Sequence, residues 1–185
     1  MKKKILSITS KWCLWSIPIL FIVGSFFHFL YDLTGNSPII GAFAAVNESI
    51  WEHQKMVLLP VIGWWIIFFL LNGSKNKINR RKWFTGLIAS LIVSILTIPF
   101  AFYFYSEAFG LHLLIVDVFI LLLAVIVGQS IGIHIYKHSK GISFYASIII
   151  IALILLIFIV FTFNAPQLPW FRDSITGQYG ICLYQ

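Results

Sequence analysis

The chain has 185 residues, of which 60% are hydrophobic, 17% aromatic and only 10% charged, with a formal net charge of +7. Soluble globular proteins carry about 25% charged residues, so this chain has too little polar surface to coat a water-soluble particle. The composition excludes a soluble enzyme domain, a secreted disulfide scaffold and a disordered chain. It predicts an integral membrane protein in contact with a lipid bilayer.

Five stretches of the chain are long and apolar enough to cross a bilayer, which requires about 20 residues per helix. A long, amphiphilic link follows the first stretch, and a tail rich in aromatic and turn residues follows the fifth. The sequence therefore predicts an all-α, single-domain bundle of five transmembrane helices. The predicted helices cover residues 12–31, 51–71, 83–105, 111–136 and 142–163, with the link at 33–50 and the tail at 164–185.

The basic residues indicate the orientation, because Lys and Arg in short loops remain on the cytoplasmic side. With the N-terminus inside, eleven of the thirteen basic residues are cytoplasmic, and only Lys55 and Arg172 lie outside. This predicts an N-in, C-out protein, with the bacterial cytoplasmic membrane as its location. The positive charge is then an anchor at the inner face and gives no indication of nucleic-acid binding.

The same orientation places every carboxylate at or near the outer side, which the positive-inside rule does not require. Three of the five histidines, His28, His53 and His112, fall on that side as well. This asymmetry predicts a polar functional site at the outer face. The six acidic residues are Asp32, Glu48, Glu52, Glu107, Asp117 and Asp173.

The start of the second helix is the densest group of polar residues in the chain. Asn47 is a suitable N-cap, and Glu48, Glu52 and Lys55 share one stripe of a helix. A purely structural interpretation is a capped helix with Trp51 anchored in the interfacial aromatic belt. The alternative is a site in which these side chains act on a substrate. We take Glu48, Glu52 and His53 as candidate catalytic residues, and Asn47, Trp51 and Lys55 as candidate substrate-binding residues.

On the first helix, His28 and Asp32 are four residues apart and share a face, with Tyr31 beside them. A histidine oriented by a carboxylate is a common general base or metal ligand, although a simple interfacial hydrogen bond explains the spacing too. We take His28 as a candidate catalytic residue and Tyr31 as a candidate substrate-binding residue. With Glu52 and His53, His28 forms a candidate ligand set for a divalent metal such as zinc.

Asp117 interrupts an apolar run in the fourth helix. A carboxylate at this depth costs several kcal/mol if it faces lipid, so it is expected to face the bundle or a wet cavity. It is a candidate catalytic residue, and the alternative is a hydrogen bond to a Ser or Tyr of another helix. His112 lies about 140° around the helix from Asp117, so the two are not expected side by side.

Arg172 in the tail is one of the two predicted outer cations and a candidate substrate-binding residue. It is expected either to fold over the acidic cluster and pair with Glu48 or Glu52, or to hold an anionic lipid headgroup. A disordered tail with a Trp anchor is the alternative. Cys13 and Cys182 are predicted on opposite sides of the membrane, so no internal disulfide is expected.

His134 and His138 are spaced i, i+4 at the predicted inner end of the fourth helix. This spacing can hold a metal or a haem, but no second histidine pair lies at the same depth. Their basic neighbours favour a helix end whose long side chains reach the interface.

Three motifs resemble those of a family of small, multi-pass bacterial membrane proteins of unknown function. They are His28-Phe29-Leu30-Tyr31-Asp32, the segment from Asn47 to Lys55, and the segment from Asp173 to Gly180. The resemblance covers nearly the whole chain and implies no activity. A weaker similarity to membrane hydrolases of the alkaline ceramidase and adiponectin receptor type transfers no residues, because those proteins have seven helices.

Three functions remain open from the sequence. The first is a membrane enzyme or metal site acting on a lipid-like substrate, through metal or through Glu and His as acid and base. The second is a proton- or cation-coupled transporter that uses Asp117 and His112. The third is an accessory subunit with a protein partner, or a homo-oligomer. Convergence of His28, Glu48, Glu52 and Asp117 in one pocket would favour a site.

Overall fold

The architecture was analysed in a computed structural model that describes residues 2–75 and 78–181, with side chains from residue 8 onward. Within these residues the protein is helical, and the only strand-like pairing is an antiparallel bridge between Arg172 and Tyr179. Cys182, which the sequence predicts to be unpaired within the chain, lies outside the described residues. The helices are α1 (Lys2–Leu33), α2 (Pro38–Gly41), α3 (Ile50–His53), α4 (Lys55–Asn72), α5 (Arg80–Phe109), α6 (Leu114–His138) and α7 (Phe144–Phe163), followed by a 3₁₀ turn (Pro169–Phe171).

Five helical segments are long and apolar enough to cross a membrane, which confirms the predicted all-α architecture with five spans. The second span consists of α3 and α4 together. The segments are Ile8–Leu33, Ile50–Asn72, Arg80–Phe109, Leu114–His138 and Phe144–Phe163. The third is longer at both ends than its predicted range. Its N-cap Asn79 accepts a hydrogen bond from the Lys82 amide, and Gly110 ends it in the left-handed conformation at φ 62°.

The second span begins with a different cap from the predicted one. Ser49, not Asn47, is the N-cap, because its hydroxyl accepts the Glu52 amide hydrogen at 3.3 Å. The side-chain Oδ1 of Asn47 accepts a hydrogen bond from the Ser49 main-chain amide at 3.0 Å. The side-chain Nδ2 of Asn47 donates to the Gly180 carbonyl oxygen at 3.0 Å. Glu48 therefore lies before the helix, whereas Glu52 lies within it.

Small residues allow α5 and α6 to pack with their backbones close together. A methyl group on Gly132 would lie 2.7 Å from the Ser90 Cβ, and one on Gly86 would lie 2.8 Å from the Gly132 carbonyl oxygen. Such small-residue contacts are typical of helix pairs in membranes. Gln129 adds polar contacts, accepting from the Trp65 indole at 3.1 Å and donating to Ser90 at 2.9 Å.

A glycine also brings α1 against α4 near the acidic residues. A methyl group on Gly24 would lie only 2.7 Å from the Met56 carbonyl oxygen, so a larger residue would push the two helices apart. His28 lies one turn after Gly24 on the same face of α1. The close approach therefore places His28 beside the start of the second span.

The tail after α7 folds back over this end of the bundle, as one of the two sequence interpretations predicts. The Ile181 amide donates to the Thr162 carbonyl at 2.9 Å, and Trp51 stacks on Phe158 and packs against Phe171 at centroid distances of 4.3 and 4.7 Å. We call this part of the molecule the acidic end. It comprises the C-terminal turn of α1, the link between α1 and α3, helix α3 itself, the N-terminal turn of α6 and the tail.

Candidate functional site

Two histidines and one glutamate meet at the acidic end, and we call them the His–Glu–His cluster. The Nε2 atoms of His28 and His53 lie 3.2 Å apart. The Glu48 carboxylate contacts both rings, with Oε1 3.3 Å from His28 Nε2 and Oε2 3.2 Å from His53 Nε2. The three side chains are partly buried, so their ligand atoms converge at the edge of the protein interior.

Three separate elements hold the cluster. His28 lies on α1, His53 ends α3, and Glu48 lies in the link just before the Ser49 cap. The two imidazole rings stack with centroids 5.2 Å apart. The Glu48 main-chain amide donates to the Asp173 carboxylate at 3.2 Å, so the tail fixes the backbone that carries the glutamate.

Hydrogen bonds from His28 and then from His53 hold the pKa of the Glu48 carboxyl well below its ordinary value, although partial burial opposes this shift. Glu48 is therefore ionised at neutral pH. An ionised carboxylate facing two imidazole nitrogens forms an arrangement of one oxygen and two nitrogen donors.

The separations within the cluster are close to those between ligands in a metal coordination shell. Ligands bound to zinc at about 2.0–2.1 Å in a tetrahedral arrangement lie about 3.3 Å from one another. The two Nε2 atoms lie 3.2 Å apart, and each lies 3.2–3.3 Å from a different oxygen of Glu48. With one ligand atom taken from each residue, the three atoms lie within 4.8 Å of one another. One feature differs from the usual metal site, in which the second nitrogen of a ligating histidine is hydrogen-bonded. His28 Nδ1 is buried and has no such partner among the described residues.

The cluster faces a cavity of about 1150 Å³ at the acidic end. Asp117, His112 and Arg172 line the same cavity, and the tail covers it. The sequence-predicted residues that it brings together are thus His28, Glu48, His53, Asp117 and Arg172. Much of the remaining lining is apolar and comes from α1, α4, α5 and α6: Phe29, Met56, Ile98, Phe102, Leu114, Val118, Ile120 and Leu121.

The sequence left open whether Asp117 lies at a cavity or forms a hydrogen bond to a Ser or Tyr of another helix, and in the structure it does both. It lines the cavity, and its Oδ1 accepts a hydrogen bond from the Tyr105 hydroxyl at 2.6 Å. The same hydroxyl accepts from the Leu113 amide at 3.4 Å. A carboxylate in an apolar span is therefore stabilised by a neighbouring helix while it remains at the cavity surface.

Glu52 and Lys55 lie away from the cavity, in a buried ion pair with an Oε2–Nζ distance of 2.7 Å. The Glu52 carboxylate also accepts from the Val46 amide at 3.1 Å and from the Thr162 hydroxyl at 3.4 Å. The sequence predicts Glu52 as the carboxylate ligand, but the structure places Glu48 between the histidines. The reason is the Ser49 cap, which leaves Glu48 outside the helix and turns Glu52 toward the bundle.

The Lys55 ammonium has three donors, of which two bind carbonyl oxygens of the link between α1 and α3 and the third faces Glu52. Its Nζ donates to the carbonyl oxygens of Gly41 at 2.7 Å and Ala44 at 3.2 Å, and no part of the side chain is exposed. A lysine with these partners ties the link to α4 and has no donor left for a substrate. The geometry therefore supports a structural role for this predicted substrate-binding residue.

Three other residues predicted to bind substrate surround the site without lining the cavity. Trp51 is buried in the aromatic cluster that holds the tail. Asn47 joins the link to the tail through Gly180. Tyr31 is buried against the link, with its Cε2 atom 3.0 Å from where a Gly41 methyl group would lie.

Arg172 is exposed and lines the cavity. The predicted pairing with Glu48 or Glu52 is not formed, because Glu48 contacts the two histidines and Glu52 contacts Lys55. No ion pair among the described residues includes Arg172. Within this part of the chain its guanidinium therefore presents an unpaired positive charge at the cavity surface.

Asp173 is a positioning residue that the sequence reasoning missed. Its Oδ1 accepts from the amides of Glu48 and Ile175 at 3.2 Å, and its Oδ2 accepts from the Thr176 amide at 3.2 Å and from the Thr176 hydroxyl. Burial raises the pKa of Asp173, but the hydrogen bonds from Thr176, Ile175 and Glu48 outweigh it and lower the pKa from its ordinary 3.8. The available signal was local: an Asp followed by Thr and Gly is typical of a side-chain-capped turn.

The chain belongs to a family of unknown function (DUF6512), whose model matches residues 1–181. No curated protein matches the chain, and no solved structure matches it. The match agrees with the resemblance to an uncharacterised family, while the three motifs quoted for that resemblance stay a prediction. The case for a function therefore depends on the site itself.

We expect Lys55→Met to destabilise the protein, because it leaves the Glu52 carboxylate buried without its counterion. Breaking a buried pair costs about 3–5 kcal/mol, whereas replacing both partners is often nearly neutral. The double variant Glu52→Gln/Lys55→Met should therefore recover most of the loss. Thermal unfolding in detergent measures both, with the exposed Lys11→Met as control. Equal unfolding temperatures for the single and double variants would contradict this account.

Asp173→Asn should weaken the tail at neutral pH, because an amide cannot accept all four hydrogen bonds. Since the pKa of Asp173 is lowered in the folded protein, its contribution is complete above the ordinary value of 3.8 and is lost as the pH falls through the lowered value. The difference in unfolding temperature between wild type and variant should therefore shrink in acid. A difference that stays constant down to that range would show that the ionised carboxylate does not hold the tail.

Proposed function

We propose that the His–Glu–His cluster binds a divalent transition metal of the zinc type, and that this centre acts on a lipid-like substrate in the cavity. The observation that carries the proposal is the convergence of two imidazole nitrogens, 3.2 Å apart, on the Glu48 carboxylate, whose two oxygens lie 3.3 and 3.2 Å from them. The donor types support it, because imidazole nitrogens and carboxylate oxygens both bind zinc at about 2.0–2.2 Å.

The ligand count favours a catalytic over a structural metal site. Structural zinc sites are closed by four protein ligands, whereas catalytic sites have three and leave one position for water or substrate. Two imidazoles and one carboxylate are a known catalytic set. Among the described residues the cluster contains three such ligands, and it faces a cavity large enough for a substrate.

The reaction class that suits this arrangement is metal-assisted hydrolysis. A metal in the cluster would lower the pKa of a bound water to about 7 and provide a nucleophile at neutral pH. His28, His53 and Glu48 would hold the metal. Asp117, hydrogen-bonded to Tyr105, is the cavity-lining carboxylate that lies within a membrane-spanning helix, and it is our candidate for proton transfer.

The lining of the cavity supports a lipid-like substrate. Its walls are formed largely by apolar side chains of helices that span the membrane, and its polar groups gather at the acidic end. An amphiphile with one polar and one apolar end matches this division. A water-soluble substrate would leave the apolar walls without a partner.

Metal analysis of the purified protein tests this proposal. We expect about one zinc per wild-type chain after loading and removal of excess metal. His53→Ala and Glu48→Gln should each weaken zinc binding by at least about 100-fold, since even outer-shell changes cost 10- to 100-fold. His112→Ala is the matched control, because His112 lines the same cavity but lies outside the cluster.

The alternative is acid–base chemistry by the same three residues without a metal. Equal zinc content in wild type, His53→Ala and Glu48→Gln would overturn the metal proposal, provided that all three unfold cooperatively. A negligible zinc content in a folded wild-type protein would overturn it too. Loss of zinc from His112→Ala to the same extent would indicate adventitious binding.

A further inference from the structure

We infer that the substrate of this cavity is an amphiphile with an anionic, phosphate-type headgroup, which Arg172 binds beside the metal centre while the acyl chain lies between α1 and α6. The inference rests on the proposed function and adds the chemistry of the headgroup and the route from the bilayer. Three features support it: the charges that line the cavity, the contacts by which the tail positions Arg172, and the exposed apolar side chains of the lining.

Arg172 is the one lysine or arginine among the described residues that line the cavity. Each carboxylate that lines it already has partners: Glu48 the two histidines, Asp117 the Tyr105 hydroxyl, and Asp173 the amides and hydroxyl of the tail. The guanidinium is therefore available to an incoming anion. Its planar donors match a phosphate in a bidentate contact.

The tail fixes the backbone position of Arg172. Its backbone pairs with Tyr179, and the next residue, Asp173, caps the turn. A methyl group on Gly177 would lie 3.2 Å from the Arg172 Nη2 atom, and Gly177 has φ +73°. The guanidinium therefore lies beside the Gly177 turn, so the tail brings this positive charge to the cavity surface.

The cavity opens toward lipid through the side of the helix bundle. Phe29 on α1 and Leu114 and Val118 on α6 line it, yet they are 58%, 80% and 40% exposed. Exposed apolar side chains in membrane spans contact acyl chains, so these residues mark an opening between α1 and α6. The volume of about 1150 Å³ exceeds the 300–1,000 Å³ of ordinary small-molecule pockets, which leaves room for a headgroup and part of a chain.

We expect the metal and the anion each to increase the binding affinity of the other. Glu48, Asp117 and Asp173 outnumber the one arginine of the cavity, so without a metal the local charge disfavours a phosphate. A divalent cation in the cluster balances these carboxylates. Zinc should therefore strengthen the binding of an anionic amphiphile, and the anion should strengthen zinc binding by the same factor.

The test measures ligand binding to the purified full chain by native mass spectrometry from maltoside detergent. The probes are lysophosphatidic acid, a monoacylglycerol with the same acyl chain, and inorganic phosphate. We expect lysophosphatidic acid to bind zinc-loaded wild type at least about tenfold more tightly than either other probe, as expected for a charge-assisted contact combined with chain burial. Equal binding of the two lipids would overturn the headgroup assignment, and equal binding of inorganic phosphate would overturn the lipid assignment.

Arg172→Gln should reduce binding of lysophosphatidic acid about tenfold, and Arg172→Lys should keep part of it. Arg80→Gln is the matched control, because Arg80 is exposed at the start of α5, where it packs over the Phe144 ring. Unchanged binding to Arg172→Gln would overturn the role of this residue. The comparison of the three probes on wild type decides the substrate class even if an Arg172 variant fails to fold.

Zinc content is measured in the same samples, so the two proposals can fail separately. Zinc binding without a preference for lysophosphatidic acid would leave the metal centre and remove the headgroup site. An Arg172-dependent preference without zinc binding would leave the headgroup site and remove the metal centre.

Discussion

The buried ion pair between Glu52 and Lys55 is the interaction on which the acidic end depends. Its two charges are fully enclosed, and their other polar partners come from two other segments: Val46, Gly41 and Ala44 from the link, and Thr162 from α7. Charges in an apolar bundle are stable only with such complete pairing. The pair therefore fixes the link against the second span and α7. The neighbouring Glu48 is then positioned, four residues earlier, between two histidines.

A second carboxylate, Asp173, does the same for the tail. It accepts hydrogen bonds from two amides of its own turn and from the Glu48 amide across the site. The tail is thus part of the candidate site, since it carries Arg172 and supports the residue that contacts both histidines. Three acids at one end of the bundle have three different tasks. Glu52 neutralises a lysine, Asp173 orders backbone, and Glu48 presents its carboxylate to the cavity.

The sequence predicted the architecture well because long apolar runs leave few alternatives in a membrane. It also predicted that Asp117 faces the bundle or a wet cavity, since a lipid-facing carboxylate is too costly. It assigned the metal carboxylate to Glu52 and not to Glu48, because both lie next to the same helix start and only the position of the cap separates their roles. The support that Asp173 gives to Glu48 was missed because this one contact joins residues 125 positions apart. Contacts of that kind are set by tertiary packing, which periodicity does not encode.

The most direct test of the metal centre is X-ray absorption at the zinc edge of the zinc-loaded, purified chain. The account predicts two imidazole nitrogens and a carboxylate oxygen at about 2.0–2.2 Å, with the remaining position filled by a light atom such as water oxygen. A shell made only of oxygen atoms, or one containing sulfur, would contradict the assignment of His28, Glu48 and His53 as ligands.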